Sequence, residues 1–421
     1  MFSIKDMAGV KNLIPSFLST LQLVCITSFA QPKINFKPDQ YRAINWTVDD
    51  SLPSNQSNTM YKDANGFLWI GSGAGNAHLC RFDGTYFKPY YSDNENRGAI
   101  NSGTIYSFEE DSLHNIWIGT NSGLSRYDSR ADTFTNFLPL SGSDAFKSII
   151  APFWATKDEV FCLEPGSLIT ACNIHTLERR TLVQLSGKDD PGRHWNSNKA
   201  FFEQNSNSIW TLFFDNEGGR RLQQIILDGR VQYYTWPCYQ GKIMHGIHDH
   251  NAEDMEYDPK RNSVWINSGE GLIEFSLADK RFRHIDALDK LTDLKDYDRG
   301  VGIDIDKNGR IWLATYSKGI FIYDPVADRA QPLFTDAYQQ QEVAKDNLHI
   351  YCDHDGITWK SDWGSGGLQE FLPSNSLVER YVASPMVNRS LSSGMITTII
   401  AGPAGKLWIG TEDGLNIFDP S

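Results

Sequence analysis

The chain of 421 residues predicts an all-β fold assembled from repeated four-stranded units, on three observations. A tryptophan with a turn before it and small residues after it returns along most of the chain. The spacing between returns stays in one narrow range. The stretches between them are short strands broken by Gly, Asn and Asp, with no sustained 3.6-residue apolar period.

The anchors are Trp69 in DANGFLWIGS, Trp117 in SLHNIWIGT, Trp210 in NSNSIWTLF, Trp265 in PKRNSVWINS, Trp312 in DKNGRIWLAT, Trp359 in DHDGITWKSD and Trp408 in PAGKLWIGT. The gap from Trp117 to Trp210 spans two periods, and TKDEVFCLEPGSLITACNI fills it with Phe161 at the anchor. Successive anchors then lie 44 to 55 residues apart, which makes eight units. The sixth unit shows the internal plan: GVGIDID, the turn Lys307-Asn308-Gly309, RIWLAT, YSKG, IFIYDP, VADRA and QPLFT. Asn-Gly, Lys-Gly and Asp-Pro are turn chemistry, while Ile, Phe, Tyr and Trp suit a pleated surface. Four strands in 40 to 50 residues is the size of a β-propeller blade. On the second strand of a blade each Trp is expected to wedge between neighbouring sheets, and Gly71, Gly119 and Gly410 mark close backbone approach.

The ends bear on closure. The last unit supplies three strands, MITTIIA, KLWIGT and GLNIFDP, whereas YRAINWT, from Tyr41 to Thr47, reads as an outer strand with no blade of its own. The sequence therefore predicts one ring of eight blades over residues 31–421, shut by residues 41–47 on the last blade, which hides the sheet edges. The alternative is seven blades followed by the first blade of a truncated second propeller.

Residues 1–30 differ from the rest. Lys5 and Lys11 precede an apolar and small-polar run that ends in Ser28-Phe29-Ala30, the pattern of a secretory signal peptide. The product is expected to be exported, to the periplasm or the extracellular space. A net charge of −13 with no local basic run excludes a nucleic-acid partner, because phosphate binding is driven by Lys and Arg. Beyond the signal the cysteines are Cys80, Cys162, Cys172, Cys238 and Cys352, an odd number without CxxC spacing, so neither a disulfide framework nor a zinc site is indicated.

FLWIGSGAGNAHLCRFDG, NIWIGTNSGLSRYDS and KLWIGTEDGLNIFDP resemble the two-component regulator propeller repeats found in extracytoplasmic sensor regions of Bacteroidetes hybrid two-component systems. DDSLPSNQSNTMYKDANGFLWIG resembles that family's approach to its first blade. The resemblance spans roughly residues 40 to 420 and is weak in the third, fourth and seventh units. It implies a sensor that normally holds two seven-bladed propellers, a β-sandwich, a transmembrane helix and kinase parts. Its partners would be a membrane-bound signalling protein or a missing C-terminal half.

Function is sought in the loops that lead into the innermost strands, on the face where propellers bind ligands. They offer Arg97 and Asn101; Arg193, His194, Trp195 and Asn196; His245 and His248; Asp298 and Arg299; Asn388 and Arg389; with Tyr316 and Trp363 on the shorter loops facing them. Aromatic faces stack on sugars, and planar Arg and Asn give paired hydrogen bonds, so a small-molecule or oligosaccharide ligand is expected. The run His245, His248, Asp249, His250 fits no zinc spacing. DIDKNG lacks the acid at the twelfth position that a calcium loop needs, Thr315 standing there, and reads as a hairpin turn. DHDGITW is close to the Asp-box turn of sialidase-like propellers, a structural element. No catalytic residue, metal site or cofactor is expected. Nothing resembles a nucleophile elbow, a P-loop or a dinucleotide fingerprint. Three functions follow in order: an exported glycan-sensing propeller of a two-component system, a propeller carbohydrate-active enzyme or lyase, and a protein-interaction scaffold.

Overall fold

The computed structural model describes residues 41–419 apart from 74–78, 94, 141–148, 165–167, 186–199, 215–219, 236–253, 269–270, 293–299, 316–317, 335–342, 344–346, 363–365 and 374–390. The signal-peptide reading, residues 1–30, lies outside the described residues.

Strand β1 (Tyr41–Trp46) comes first, and eight sheets follow in chain order. The first blade is β2 (Thr59–Lys62), β3 (Leu68–Gly71), β4 (Leu79–Phe82) and β5 (Phe87–Tyr90), and the second is β6 (Ile105–Glu110), β7 (Ile116–Thr120), β8 (Gly123–Asp128) and β9 (Thr133–Phe137). The third is β10 (Ala151–Ala155), β11 (Glu159–Glu164), β12 (Leu168–Asn173) and β13 (Arg179–Gln184), and the fourth is β14 (Ala200–Glu203), β15 (Ser208–Phe214), β16 (Arg220–Ile226) and β17 (Val231–Tyr234). The fifth is β18 (Asp254–Asp258), β19 (Ser263–Ser268), β20 (Gly271–Ser276) and β21 (Arg281–His284), followed by a short helix α1 (Asp286–Thr292). The sixth is β22 (Gly300–Ile305), β23 (Ile311–Thr315), β24 (Ile320–Asp324) and β25 (Arg329–Pro332). The seventh contributes β26 (Asn347–Cys352), β27 (Thr358–Asp362) and β28 (Leu368–Pro373), and the last sheet is β29 (Ile396–Ala401), β30 (Leu407–Thr411) and β31 (Gly414–Phe418). Every sheet is antiparallel, consecutive strands of a unit pair as neighbours, and every anchor, Phe161 included, sits on a unit's second strand.

Closure differs from the sequence expectation. β1 pairs antiparallel with β28, Tyr41 opposite Pro373 and Trp46 opposite Leu368, so the terminal strand completes the seventh blade and not the eighth. The reason is packing at the seam. The Trp46 ring lies edge-on against Phe82 and Phe87 of blade one, at 5.1 and 5.7 Å, and its indole N–H donates to Glu370 of β28. Tyr41 lies edge-on against Trp312 of blade six, at 4.9 Å.

Among the described residues, seven apolar clusters link the seven blades into a ring. Trp69 packs with Ile105, Ile116 and Ile118 of blade two. Trp117 packs on blade three, Phe161 on blade four, Trp210 on blade five, Trp265 on blade six and Trp312 on blade seven. Trp359 of blade seven packs with Met60, Leu68 and Ile70 of blade one. Each anchor thus wedges against the next sheet, and the seventh wedges against the first. Burying 150 to 250 Å² of ring at ~25 cal/mol per Å² stabilises each contact by about 4–6 kcal/mol as an upper bound.

The chain divides into two compact units, 1–373 and 374–421. The second is described by the sheet at its C-terminal end. Its sheet has three strands, in the order β29-β30-β31, and Ile396, Ile399, Ile400, Leu415 and Ile417 stand exposed on it. Among the described residues no helix is long and apolar enough to cross a membrane.

Candidate functional site

The ring has two faces. On the lower one the first strand of each blade turns into the second; on the upper one the inner strands begin and the second strands end. The lower face is built by the repeat. Asp63, Asp111, Asp306 and Asp353 each stand six residues before their tryptophan and accept its indole N–H, at 2.8, 2.8, 3.1 and 3.1 Å. The other oxygen of each carboxylate accepts two backbone N–H groups of the turn, for example Gly356 and Ile357 on Asp353. One acidic side chain therefore satisfies three donors that would otherwise be buried without partners. Blades four and five use turns one residue longer: Glu203 and Asp258 still cap the turn backbone, but the indole nitrogens of Trp210 and Trp265 have no hydrogen-bond partner.

Lower-face polar groups also tie blades together. Lys62 of blade one reaches Asp353 and Asp355 of blade seven at 2.9 and 2.6 Å, and its backbone N–H donates to the Tyr351 hydroxyl. Burial works to lower the Lys62 pKa, but the two carboxylates outweigh it and hold the ammonium above its ordinary value. Glu110 of blade two accepts from the Ala64 N–H and the Tyr61 hydroxyl, and Ser112 donates to the Lys157 carbonyl of blade three.

On the upper face the repeat prescribes a hydroxyl three residues after the anchor, donating to a carbonyl across the turn. Thr120 to Gly123, Ser268 to Gly271 and Thr315 to Gly319 obey, at 3.0, 3.1 and 2.9 Å. Blades three and seven carry acids there instead, and each acid has a basic partner in its own blade. Glu164 pairs with Arg179 and accepts from Thr170 and from the Leu140 N–H. Asp362 lies 2.5 Å from Lys360, which also donates to Gln369, and Gln369 in turn donates to Asn45 of β1. Lys360 occupies the position held by Ile70, Ile118, Ile266 and Leu313 in other blades, and it is fully buried. Beside this pair, Asn347 Oδ1 and Ser361 Oγ are buried with no hydrogen-bond partner. Buried ion pairs are poor stabilisers relative to well-packed apolar residues. Two of them at a position the repeat gives to a hydroxyl mark blades three and seven as specialised.

Acid also stands on the inner strands. Glu109 lies opposite Trp117, where burial pushes its carboxyl up to about 8 against the pull of a backbone hydrogen bond, and the neighbouring Glu110 charge adds to the rise. Burial, Glu109 and Glu110 together push the Tyr61 phenol well above its usual range.

Of the fourteen residues singled out from sequence, two are described. Asn101 stands in the loop leading into β6, and its side chain is engaged in the fold: Oδ1 accepts from Thr120 and Ser125, and Nδ2 donates to the Ser122 carbonyl. Arg97 is exposed, in a segment running beside β9 at the outer edge of blade two, where Phe134 N–H donates to the Gly98 carbonyl. That is the end of β9 nearer the lower face, away from the start of β6. Arg193, His194, Trp195, Asn196, His245, His248, Asp298, Arg299, Tyr316, Trp363, Asn388 and Arg389 lie outside the described residues. Sequence reasoning missed Glu164, Arg179, Lys360 and Asp362; aligning the units on the anchor, with a hydroxyl three residues later, would have found them. Among the described residues the group able to hold a metal ion is His284, Asp286 and Asp289.

Comparison with known proteins agrees with this architecture. The two-component regulator propeller family matches residues 51–74 and 99–122, the starts of blades one and two. No curated protein matches the sequence. Among solved structures, the extracellular domain of a B. thetaiotaomicron protein described as a hybrid two component system is similar at TM-score 0.59 and 21% identity, over 90% of this chain and 48% of the other. A second such domain from the same organism is similar at 0.55 and 15%, over 90% and 52%. Virginiamycin B lyase from Staphylococcus aureus is similar at 0.54 and 12%, over 79% and 98%. The chain thus spans about half the length of these two extracellular domains, and at these identities the likeness is one of fold.

Proposed function

From the premise that this chain carries two-component regulator propeller repeats, we propose that it is the exported, ligand-binding part of a two-component sensor and that it takes a small glycan at its upper face. The observation that carries this reading is the contrast between faces. On the lower face even the blades that depart from the Asp solution, three, four and five, still cap the turn with a side-chain oxygen, while the upper face departs from the repeat in blades three and seven by holding buried charge. Repeated residues hold a fold; residues that break the repeat are where recognition resides. Arg193, His194, Trp195, Asn196, His245, His248, Asp298, Arg299, Tyr316, Trp363, Asn388 and Arg389 supply the stacking and paired hydrogen bonds a glycan needs. Export to the periplasm or cell exterior follows from the N-terminal signal pattern.

For signalling, the ligand has to bind two arrangements of the protein unequally, since equal binding shifts no population. The test is a thermal-shift screen of the purified protein against an oligosaccharide panel, with chromatography of the mixtures. Stabilisation by one glycan class, reduced in Trp195→Ala and Arg389→Ala, supports the reading. Product formation overturns it in favour of a carbohydrate-active enzyme or lyase. No shift with any glycan overturns the glycan assignment and favours the protein-interaction scaffold.

A further inference from the structure

Blades seven and one meet at the seam that closes the ring, and the two ends of that seam are built differently. The lower end is paired. Lys62 of blade one reaches Asp353 and Asp355, its backbone N–H donates to the Tyr351 hydroxyl, and Asp353 also accepts the Trp359 indole N–H. At the outer edge Trp46 donates to Glu370 and lies against Phe82 and Phe87.

The upper end buries polar groups without partners. Ser361 stands two residues after Trp359 on β27, so its side chain takes the same face of the sheet, toward blade one. It is fully buried, and its Oγ has no hydrogen-bond partner. Across the seam, Asn58 stands two residues before Met60, which packs with Trp359, and the Asn58 N–H extends the β2–β3 ladder by donating to the Gly71 carbonyl. Asn58 therefore faces blade seven, and its Oδ1 is buried with no partner. Beside it Ser57 is fully buried, and its Oγ is likewise unpaired.

The other blades show what the position of Ser361 ordinarily does. In blades one and two it is glycine, and a Cβ at Gly71 or Gly119 would meet Ile105 or the Ile150 carbonyl of the next blade at 2.5 Å. Leu163, Leu212 and Ala314 are apolar and buried there. Asn267 is polar, but its Nδ2 donates to the Gly302 carbonyl of blade six at 2.9 Å. Among these described positions Ser361 alone brings to its seam a polar side chain left without a partner.

Burying a polar group unpaired costs free energy that contact with water returns. Three such atoms weaken the upper end of the seam, while ion pairs and stacked rings hold its lower end and outer edge. We propose that the seam between blades seven and one opens locally at its upper end, pivoting on the Lys62 and Trp46 contacts, and that Ser57, Asn58 and Ser361 take hydrogen bonds from water in the open form. The ring then has the two arrangements that a ligand must bind unequally if the protein signals. The opening does not depend on the glycan reading, because it is measured without ligand.

The test compares one repeat position in two blades, Ser361→Cys in blade seven and Ala314→Cys in blade six, both at fully buried sites. Each full-length variant is treated with N-ethylmaleimide under native conditions, and modification of the new thiol is followed by peptide mass spectrometry. Global unfolding exposes both positions alike, so local opening should make Ser361→Cys react at least about tenfold faster than Ala314→Cys. Ser361→Ala should raise Tm, because it removes an unpaired hydroxyl, whereas Ser125→Ala, which removes bonds to Asn101 and Asn136, should lower it. Where Ser361→Cys lowers Tm, Ser57→Cys is read against Ala314→Cys in its place. Equal rates at the two positions overturn the proposal. So does a fall of Tm in Ser361→Ala, which would mean that the hydroxyl is bonded in the shut seam.

Discussion

Blade seven and the eighth sheet start from one plan and end in different states. Each contributes three strands of its own, with an anchor tryptophan on the second. In blade seven a fourth strand arrives from Tyr41–Trp46, Asp353 accepts the Trp359 indole N–H, and Trp359 is 3% exposed against blade one. In the eighth sheet Gly402 stands where Asp353 does, six residues before the tryptophan; Trp408 is half-buried, and every residue of β29 is exposed. The same repeat therefore ends in two different sheets, one completed by a strand from far along the chain with an acid at its turn, the other three-stranded with a glycine at that position.

The largest effect should come from taking the fourth strand away. Deleting residues 41–46 uncovers the edge of β28 and the Phe82 and Phe87 rings, and the ring should lose cooperative unfolding. A chemical-denaturation curve that kept its midpoint would break the comparison. Next, Trp359→Ala should cost about 3–5 kcal/mol, as for a large buried side chain, while Trp408→Ala should change the same transition by less than ~0.5 kcal/mol. Paired urea melts read both values.

Asp353→Ala should cost about 1–3 kcal/mol, because it strips partners from Gly356, Ile357, Trp359 and Lys62 together. The smallest effect concerns the residue facing the anchor across the first two strands, which is Tyr351 in blade seven, Ile400 in the eighth sheet and Glu109 in blade two. Glu109 has a folded pKa near 8, above the ordinary carboxylate value, so between the two the folded state holds the proton that the unfolded chain releases. Stability then falls as pH rises from about 4.5 to about 8. Glu109→Gln should flatten that slope and raise Tm at pH 8; an unchanged profile would place Glu109 in water.

Most of the architecture was legible in the sequence because it is repeated. Trp69, Trp117, Trp210, Trp265, Trp312 and Trp359 are buried anchors on second strands, as their spacing predicts, and Phe161 fills the degenerate unit. DIDKNG and DHDGITW are turns, with Asp306 and Asp353 engaged by backbone and indole. The closing blade was not legible, because LQEFLP and GLNIFDP offer equally plausible edges to YRAINWT. What decides is tertiary contact, Trp46 with Phe82 and Phe87 of blade one and with Glu370 more than three hundred residues away, which no local pattern encodes. The upper face was legible only by its loops. The Glu164–Arg179 and Lys360–Asp362 pairs lie inside strands or at their ends, where sequence reasoning expects packing. Arg97 looked like a face residue, yet the segment carrying it runs beside β9 at the outer edge of blade two.

The most direct test of the closure is a pair of engineered crosslinks. Arg42 lies opposite Leu372 in the β1–β28 register, and Ile417 is an exposed residue of β31. Under mild oxidation, Arg42→Cys with Leu372→Cys should give an intrachain disulfide, seen by non-reducing electrophoresis and mass spectrometry. A crosslink from Arg42→Cys to Ile417→Cys, with none to Leu372→Cys, would show that the strand closes the eighth sheet and would contradict the seven-bladed ring.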